Sequence, residues 1–308
     1  ADIESNELDE LGLLPKNEWH RSVKTCWDIS EKAASEQLEV FIQNGLTDYM
    51  ERRNFPAKQG VSRLSPYLHF GQISPHKVWH RVECEVDRTS KDLNQNIEHF
   101  FRELGWREFS YYLLYHSPDL PNRNLQPRFD EFPWVKVSPH LEAWQKGLTG
   151  YPLIDAGMRE LWQTGYMHNR VRMVVASFLV KNLLVHWKCG ADWFWDCLVD
   201  ADLASNSASW QWVAGSGADA APFFRIFNPI TQSEKFDSEG RYILSYVPEL
   251  RNLPKRSLHS PWLAPTSVLD AAGITLGIDY PNPIVDIKSS RSRALNAFNE
   301  QRTRMERS

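Results

Sequence analysis

Apolar residues recur every three or four positions along most of this chain, which is the spacing of one face of an α-helix. Between residues 33 and 50, Leu38 and Phe41 belong to such a face, and a second apolar face runs from 94 to 116. Further helices are predicted at 141–147, 153–164, 168–188, 191–199 and 286–304. The alternation typical of a β-strand is nearly absent, with 241–247 as a weak candidate. The pattern predicts an all-α fold with long, ordered loops.

One stretch, from residue 151 to residue 229, combines these apolar faces with recurring polar residues and clustered indoles. Five tryptophans lie between Trp187 and Trp212. The recurring polar residues are Asn169, Arg170, Arg172, Asp200, Asp202 and Asn206. A helical core needs apolar stripes but gains nothing from such groups, because buried charge is costly unless it is paired. The combination favours a binding site for a large, flat ligand with polar edges.

Composition narrows the class of protein. The 308 residues are 42% hydrophobic, which is enough for a sizeable core. No run of 18 apolar residues exists, and the acidic N-terminus ADIESNELDE is unlike a signal peptide. We therefore expect a cytoplasmic protein without a membrane segment, with a linker-like tail at 1–20 and one helical domain at 21–308.

Net charge limits the modes of nucleic-acid binding, and cysteine spacing bears on metal binding. The formal net charge of −4 argues against nucleic-acid binding by the whole surface, although a local basic groove remains compatible with it. The four cysteines are scattered without a CxxC pair, so we expect reduced thiols and no metal site.

Two short segments carry candidate chemistry. Glu103, Trp106 and Arg107 stand at i, i+3 and i+4, so they share a helix face that suits a planar, hydrogen-bonding ligand. A surface ion pair beside a core tryptophan explains them equally well. The segment GVSRLSPYLHFG at 60–71 suits either phosphate binding or a simple capped helix.

Arg172 carries a third candidate interaction. It is expected to pair with Asp200 or Asp202, one loop away. A purely structural ion pair is the alternative interpretation.

Several long motifs together resemble one known family. They are VSRLSPYL, ELGWREF, GYPLIDAGMRELWQTGYMHNRVRM, ASFLVK, DADLASNSASWQW and DAAPFFRIFNPITQSEKFD. In this order, over roughly residues 20–300, they resemble the FAD-binding domain of the DNA photolyase/cryptochrome family. The resemblance implies the helical fold of that domain, without the family's N-terminal α/β antenna domain. It leaves open whether the chain is a fragment, with that domain as a partner, or a short member of the family.

The resemblance also implies roles for individual residues. FAD would be bound by Tyr49, Ser62, Arg63, Leu64, Ser65, Phe100, Arg107, Arg172, Asp200, Asp202 and Asn206. A DNA lesion would be held by Glu103, Trp106, Asn169, Met173 and Trp212. Electrons would pass through Trp210, nearest the flavin, then Trp187, then an exposed Trp134. DNA phosphates would be contacted by Arg170, Arg225 and Lys235.

Three positions depart from the pattern common in the family. Val61 stands where many members have Thr, so a backbone contact survives there but a hydroxyl contact does not. Phe100 and Tyr166 stand where many members have Trp. The role of Tyr166 is left open by this comparison.

The implied function is light-driven repair of cyclobutane pyrimidine dimers in UV-damaged DNA, by a monomer that uses reduced, anionic FAD. Asn206 favours that flavin form because it adds no negative charge beside the ring. A cryptochrome-type photoreceptor without repair activity is the alternative, but plant cryptochromes tend to carry Asp where Asn169 and Asn206 stand. A third reading is a flavin-binding fragment that is inactive without its antenna domain.

Overall fold

A computed structural model describes residues 5–13, 17–87, 89–135, 138–220, 222–223 and 225–305. The helices begin with α1 Arg21–Cys26, α2 Glu31–Asn44, α3 Tyr49–Arg52, α4 Ser65–His69, α5 Pro75–Glu83 and α6 Lys91–His116. They continue with α7 Leu141–Gln145, α8 Pro152–Thr164, α9 Asn169–Ser177, α10 Trp187–Cys197 and α11 Leu203–Ala214. The last are α12 Pro229–Phe236, α13 Arg241–Tyr246, α14 Lys255–Leu258, α15 Thr266–Ala272 and α16 Ile287–Met305.

The predicted all-α class is confirmed. Within the described residues, β pairing is limited to two isolated bridges, Val135 with Val185 and Leu276 with Tyr280. None of the helices in those ranges combines the length and hydrophobicity needed to span a bilayer. The division at residue 20 stays a prediction.

The weak strand prediction at 241–247 is wrong, because this segment forms helix α13. The Asp237 carboxylate accepts hydrogen bonds from the backbone N–H groups of Tyr242 and Ile243 at 3.0 and 2.9 Å. These bonds satisfy backbone donors that a helix leaves free in its first turn. A local cap therefore outweighs the β-prone composition of RYILSYV.

The predicted single helix over 168–188 is interrupted. Helix α9 passes into a π-helical turn at Phe178–Asn182, and Leu184 then adopts a φ of 54°, which ends the helical path. Helix α10 starts afresh at Trp187, where the His186 ring nitrogen accepts the Lys188 N–H at 3.1 Å. The break separates α9 from the tryptophan-bearing α10.

Two hydrophobic clusters flank the region between α6, α9 and α11. The smaller cluster is built by α2 to α6 and includes Leu38 and Phe100. The larger one extends from α7 to α15 and includes Trp187 and Trp210. Helix α6 packs against α3, α5 and α11, and α11 also packs against α9 and α10. The long helix α6 thus links the two clusters and forms one wall of the space between them.

Candidate functional site

Two adjoining cavities open between α6, α9 and α11. The first, which we call the charged cavity, has a volume of about 280 Å³, and the second, the aromatic cavity, of about 430 Å³. Both are lined by the same seven residues, which we call the shared wall: Arg53, Glu103, Asn169, Arg172, Asp200, Asp202 and Ser205. A ligand with a flat part and an anionic part can therefore occupy both at once.

The segment 61–65 forms one side of the charged cavity, together with Tyr49 and Phe100. Arg63 in this segment has a φ of 54°, a left-handed conformation that is rare for a residue with a side chain. Such strain persists only where the surroundings impose it, and it is common at binding sites. All eleven residues that the resemblance assigns to FAD line one or both cavities.

Arg172 and Asp200 form the central ion pair of the shared wall. The guanidinium lies 2.9 and 3.1 Å from the two carboxylate oxygens, and its Nε donates to the Met167 carbonyl at 2.7 Å. Burial alone would lower the pKa of Arg172, but the Asp200 carboxylate favours the charged form and the pKa is raised. Asp200 also accepts the Ser65 hydroxyl at 2.6 Å. The expected pairing is thus confirmed for Asp200, not Asp202.

Asp202 is held by a different set of partners. Its carboxylate accepts the Tyr111 hydroxyl at 2.5 Å and caps α11 through the Ser205 N–H at 2.7 Å. Burial acts to raise the pKa of Asp202, but these hydrogen bonds lower it. Burial, and then the bond to Asp202, raise the pKa of Tyr111 to about 12. Tyr111 was missed at the sequence level, although it stands one helical turn after Arg107.

The ring of His69 has a buried nitrogen whose hydrogen-bonding capacity is unsatisfied. Its Nδ1 is buried in the wall of the charged cavity and has no hydrogen-bond partner among the described residues. A carboxylate oxygen of Asp202 lies 3.6 Å from this nitrogen, beyond hydrogen-bond distance. Because buried polar atoms are nearly always paired, this nitrogen fits contact with a bound polar ligand.

The three residues singled out on α6 divide between the cavities. Glu103 lines both and forms an ion pair with Arg53. Arg107 lines the charged cavity and forms an ion pair with Glu108, which is exposed outside it. Trp106 lines the aromatic cavity and is 49% exposed. Glu103 is therefore part of the shared wall, with Arg107 on the side of the charged cavity and Trp106 on the side of the aromatic cavity.

The aromatic cavity is lined mainly by α6 and α11. Trp212 and Trp106 line it, with Met173 from α9. Asn206 also lines it, and its amide donates to the Ala191 carbonyl at 2.9 Å. Indole walls on one side and the polar shared wall on the other suit a stacked aromatic ligand with polar edges.

The three tryptophans of the expected electron path differ in exposure. Trp210 is 2% exposed and lines the aromatic cavity, and Trp187 is fully buried with its indole N–H donating to Asn124 at 2.8 Å. Trp134 was expected to be exposed, but it is half-buried against Phe132, with ring centroids 4.4 Å apart. The expectation of exposure rested on the polar sequence around Trp134, which does not indicate that its ring packs on Phe132.

His186 lies beside two members of that path. Its ring centroid is 5.3 Å from the Trp187 ring and 5.3 Å from the Trp134 ring. No sequence pattern indicates this placement of His186.

Basic side chains gather around two phenylalanine rings beside the shared wall. Arg170 lies 4.5 Å and Lys235 5.3 Å from the ring centroid of Phe236. Phe55 packs against Phe236 at 6.0 Å and carries the Lys58 ammonium at 4.3 Å. We call the cations of this region the basic rim: Arg53, Lys58, Arg170, Arg225 and Lys235.

The Arg170 side chain is more buried, and more constrained by hydrogen bonding, than expected for a phosphate-binding residue. It is half-buried and donates to the Asn54 side chain. Burial, and then the neighbouring charges of Arg53 and Arg225, lower its pKa. The mutual influence of these cations indicates a locally positive region, which the net charge of the chain conceals. Sequence reasoning missed Arg53 and Lys58, since neither lies in a motif that was singled out.

A helical domain with adjoining charged and aromatic cavities suits a ligand that is both anionic and flat. Comparison with known proteins identifies the family. Residues 100–300 match the family described as the FAD binding domain of DNA photolyase. The chain belongs to this photolyase/cryptochrome family, as predicted, and its cofactor is FAD.

Named relatives include both branches of the family. A deoxyribodipyrimidine photo-lyase of Agrobacterium fabrum is 51% identical over 296 residues, covering 96% of this chain and 61% of the relative. Cryptochrome-2 of Arabidopsis thaliana is 40% identical over 301 residues, covering 96% of this chain and 49% of the relative. A class III photolyase structure from Agrobacterium tumefaciens aligns with a TM-score of 0.91 at 48% identity, covering 98% of this chain and 62% of that one. The chain thus spans about half to three fifths of these relatives.

Proposed function

We propose that this chain is the catalytic domain of a light-driven DNA repair enzyme that splits cyclobutane pyrimidine dimers. One observation carries the proposal: a charged cavity and an indole-lined cavity meet at a wall that contains Glu103 and Asn169. The first suits the anionic part of FAD, and the second suits two flat bases beside its flavin ring. Photolyase-named relatives at 41–51% identity support the repair function.

The residues present fit FAD. The segment 61–65, with Tyr49, would hold the phosphates and the ribityl chain, and the unpartnered His69 nitrogen lies on the same wall. The Arg172–Asp200 pair and Asp202 would bound the flavin. Asn206 adds no negative charge, which favours the anionic reduced form.

The lesion would have to leave the DNA duplex in order to enter the aromatic cavity. Photolyases belong to the base-flipping enzymes, and a damaged pair costs less to unstack than an intact one. Trp106 and Trp212 would replace the lost stacking, while Asn169 and Met173 complete the pocket. Arg170, Arg225 and Lys235, joined by Arg53 and Lys58, would bind the backbone phosphates of the kinked strand.

The chemistry that reduced FAD would supply when bound here is light-driven transfer of one electron to the cyclobutane ring, with return of that electron after ring opening. The residues of the chain position the lesion and stabilise charge. Glu103, fixed by Arg53, would hydrogen-bond a thymine carbonyl where negative charge develops. Trp210, Trp187 and Trp134 would return the flavin to its reduced state by relaying electrons from the surface.

The test is repair of UV-irradiated oligothymidine by the reduced, FAD-loaded protein under blue light, followed by recovery of thymine absorbance. We expect recovery with the wild-type chain and a roughly 10-fold or greater loss of yield for Glu103→Gln, with FAD retained. Glu98→Gln, which alters an exposed ion pair elsewhere on α6, is the matched control. Absence of recovery with FAD bound contradicts the proposal.

The cryptochrome relatives favour a second candidate, a blue-light photoreceptor without repair activity. Both candidates predict photoreduction of FAD through Trp210, so photoreduction does not separate them. Photoreduction without recovery of thymine absorbance would select the photoreceptor.

A further inference from the structure

Arg63 differs from the other arginines of the charged cavity. Arg53 pairs with Glu103, Arg107 with Glu108, and Arg172 with Asp200. No carboxylate among the described residues forms an ion pair with Arg63, which also lines this cavity. Among the described residues, Arg63 is therefore the arginine of the charged cavity that no carboxylate contacts directly.

The Arg63 guanidinium contacts two aromatic rings, those of Trp27 and Tyr166, which also contact each other. Its central carbon lies 4.7 Å from the Trp27 ring centroid and 4.8 Å from that of Tyr166. An exposed arginine otherwise keeps rotamer freedom worth about 2 kcal/mol, which is lost when it binds a ligand. Each cation–π contact at an exposed site contributes about 0.5–1 kcal/mol toward holding one geometry. We call Trp27 and Tyr166 the aromatic clamp.

The clamp itself is anchored on both sides. The Trp27 indole N–H donates to the Thr164 carbonyl at 2.8 Å, just before Tyr166 in the chain. Tyr166 is buried, and its ring also lies 5.2 Å from the Arg172 guanidinium. The Trp27 and Tyr166 rings pack edge to face with centroids 5.8 Å apart, and the Arg63 guanidinium lies beside both rings. Arg172, on Tyr166, is neutralised by Asp200.

We propose that Trp27 and Tyr166 are positioning residues that fix Arg63 to bind the diphosphate of FAD. The inference rests on the proposed placement of FAD in the charged cavity. It assigns a role to Tyr166, and it makes the segment before α2 part of the cofactor site. A phosphate group needs an unpaired, preorganised cation, and within this cavity Arg63 supplies it.

The experiment compares ligands that share different parts of FAD. Affinities of the apoprotein for FAD, for riboflavin, which lacks the diphosphate, and for ADP, which lacks the flavin, are measured by fluorescence titration and competition. Tyr166→Leu and Trp27→Leu should each weaken FAD and ADP binding by about 2- to 5-fold, the equivalent of one cation–π contact, and weaken riboflavin binding less. Tyr166→Phe and Trp27→Phe, which keep the rings, should restore FAD affinity.

Two controls separate positioning from packing. Trp79→Leu removes an exposed tryptophan that stacks on Phe101 away from the cavity, and it should change none of the three affinities. Adding Tyr166→Leu to Arg63→Met should cost little further FAD affinity, because the two act through one contact. Equal weakening of FAD and riboflavin, or unchanged FAD binding, overturns the proposal. Failure of the wild-type chain to bind FAD or ADP would instead contradict the placement of FAD itself.

Discussion

The charged cavity and the aromatic cavity are built in different ways from the same helices. The charged cavity depends on ion pairs, on a strained loop residue and on groups such as Asp202 whose hydrogen bonds come from other elements. The aromatic cavity depends on side chains of α6 and α11 that project at helical spacing. Positions three or four apart on one helix reach one cavity, while their neighbours reach the other. The difference indicates that electrostatics select the anionic part of the ligand and shape selects the flat part.

The largest expected effect is the loss of the charged cavity through Arg172→Leu. This change leaves Asp200, whose side chain is only 3% exposed, as a buried carboxylate without its cation. We expect the free energy of unfolding to fall by about 3–5 kcal/mol, together with loss of FAD. Urea denaturation and the flavin absorbance that co-elutes in gel filtration measure the two effects.

Two further variants check the cause of that loss. Arg102→Leu breaks an exposed ion pair on α6 and should cost no more than about 1 kcal/mol. The double variant Arg172→Leu/Asp200→Leu removes both charges and should recover part of the stability. If it is less stable than Arg172→Leu, the uncompensated charge is not the reason.

The aromatic cavity should respond in the opposite way, through ligand binding and not through stability. Trp212→Ala removes one indole wall, and a stacked base is worth about 1–3 kcal/mol. We therefore expect about 5- to 150-fold weaker binding of dimer-containing DNA, measured by fluorescence anisotropy, with FAD retained. Trp195→Ala, at an exposed tryptophan outside both cavities, is the control and should leave affinity unchanged. Release of FAD by Trp212→Ala would remove the distinction between the cavities.

The sequence was sufficient to predict many residues of both cavities, but not the contacts that these residues make with distant parts of the chain. Helical spacing and long motifs are local signals, so the helices, Glu103 and Trp106 could be found from them. The Arg53–Glu103 pair joins positions fifty residues apart, and no periodicity indicates it. The same holds for the clamp around Arg63 and for the packing of Trp134 on Phe132. Asp237 turned a β-prone segment into a helix through a cap that composition did not reveal.

Acid should destabilise helix α9, which carries Asn169 and Arg172 of the shared wall. His168 caps α9, and burial, followed by the charges of Arg170, Arg172 and Arg53, lowers its pKa from 6.5 to about 3. Between these values the unfolded chain binds a proton that the folded chain does not, so stability falls as pH falls. The contribution is at most about 1.4 kcal/mol per pH unit.

His168→Asn tests this pH dependence, because asparagine keeps a good N-cap but does not titrate. The difference in unfolding free energy between pH 7 and pH 5 should be smaller in the variant by about 2 kcal/mol. His76→Asn, at an exposed histidine on α5, should leave the difference as in the wild type. An unchanged pH dependence in His168→Asn would mean that His168 is not the source of the loss of stability in acid.

The smallest effect concerns the basic rim, and it sharpens the contrast with the aromatic cavity. Lys58→Ala removes a cation held over Phe55, and phosphate contacts carry no information about the lesion. Intact and damaged duplexes should therefore lose affinity equally, whereas Trp212→Ala should affect the damaged one alone. The slope of log affinity against log salt should fall in magnitude by about 0.9, the value for one phosphate contact. Lys77→Ala, at an exposed lysine hydrogen-bonded to Ser35, should leave the slope unchanged. A selective loss for damaged DNA in Lys58→Ala would place this lysine beside the lesion, not on the backbone.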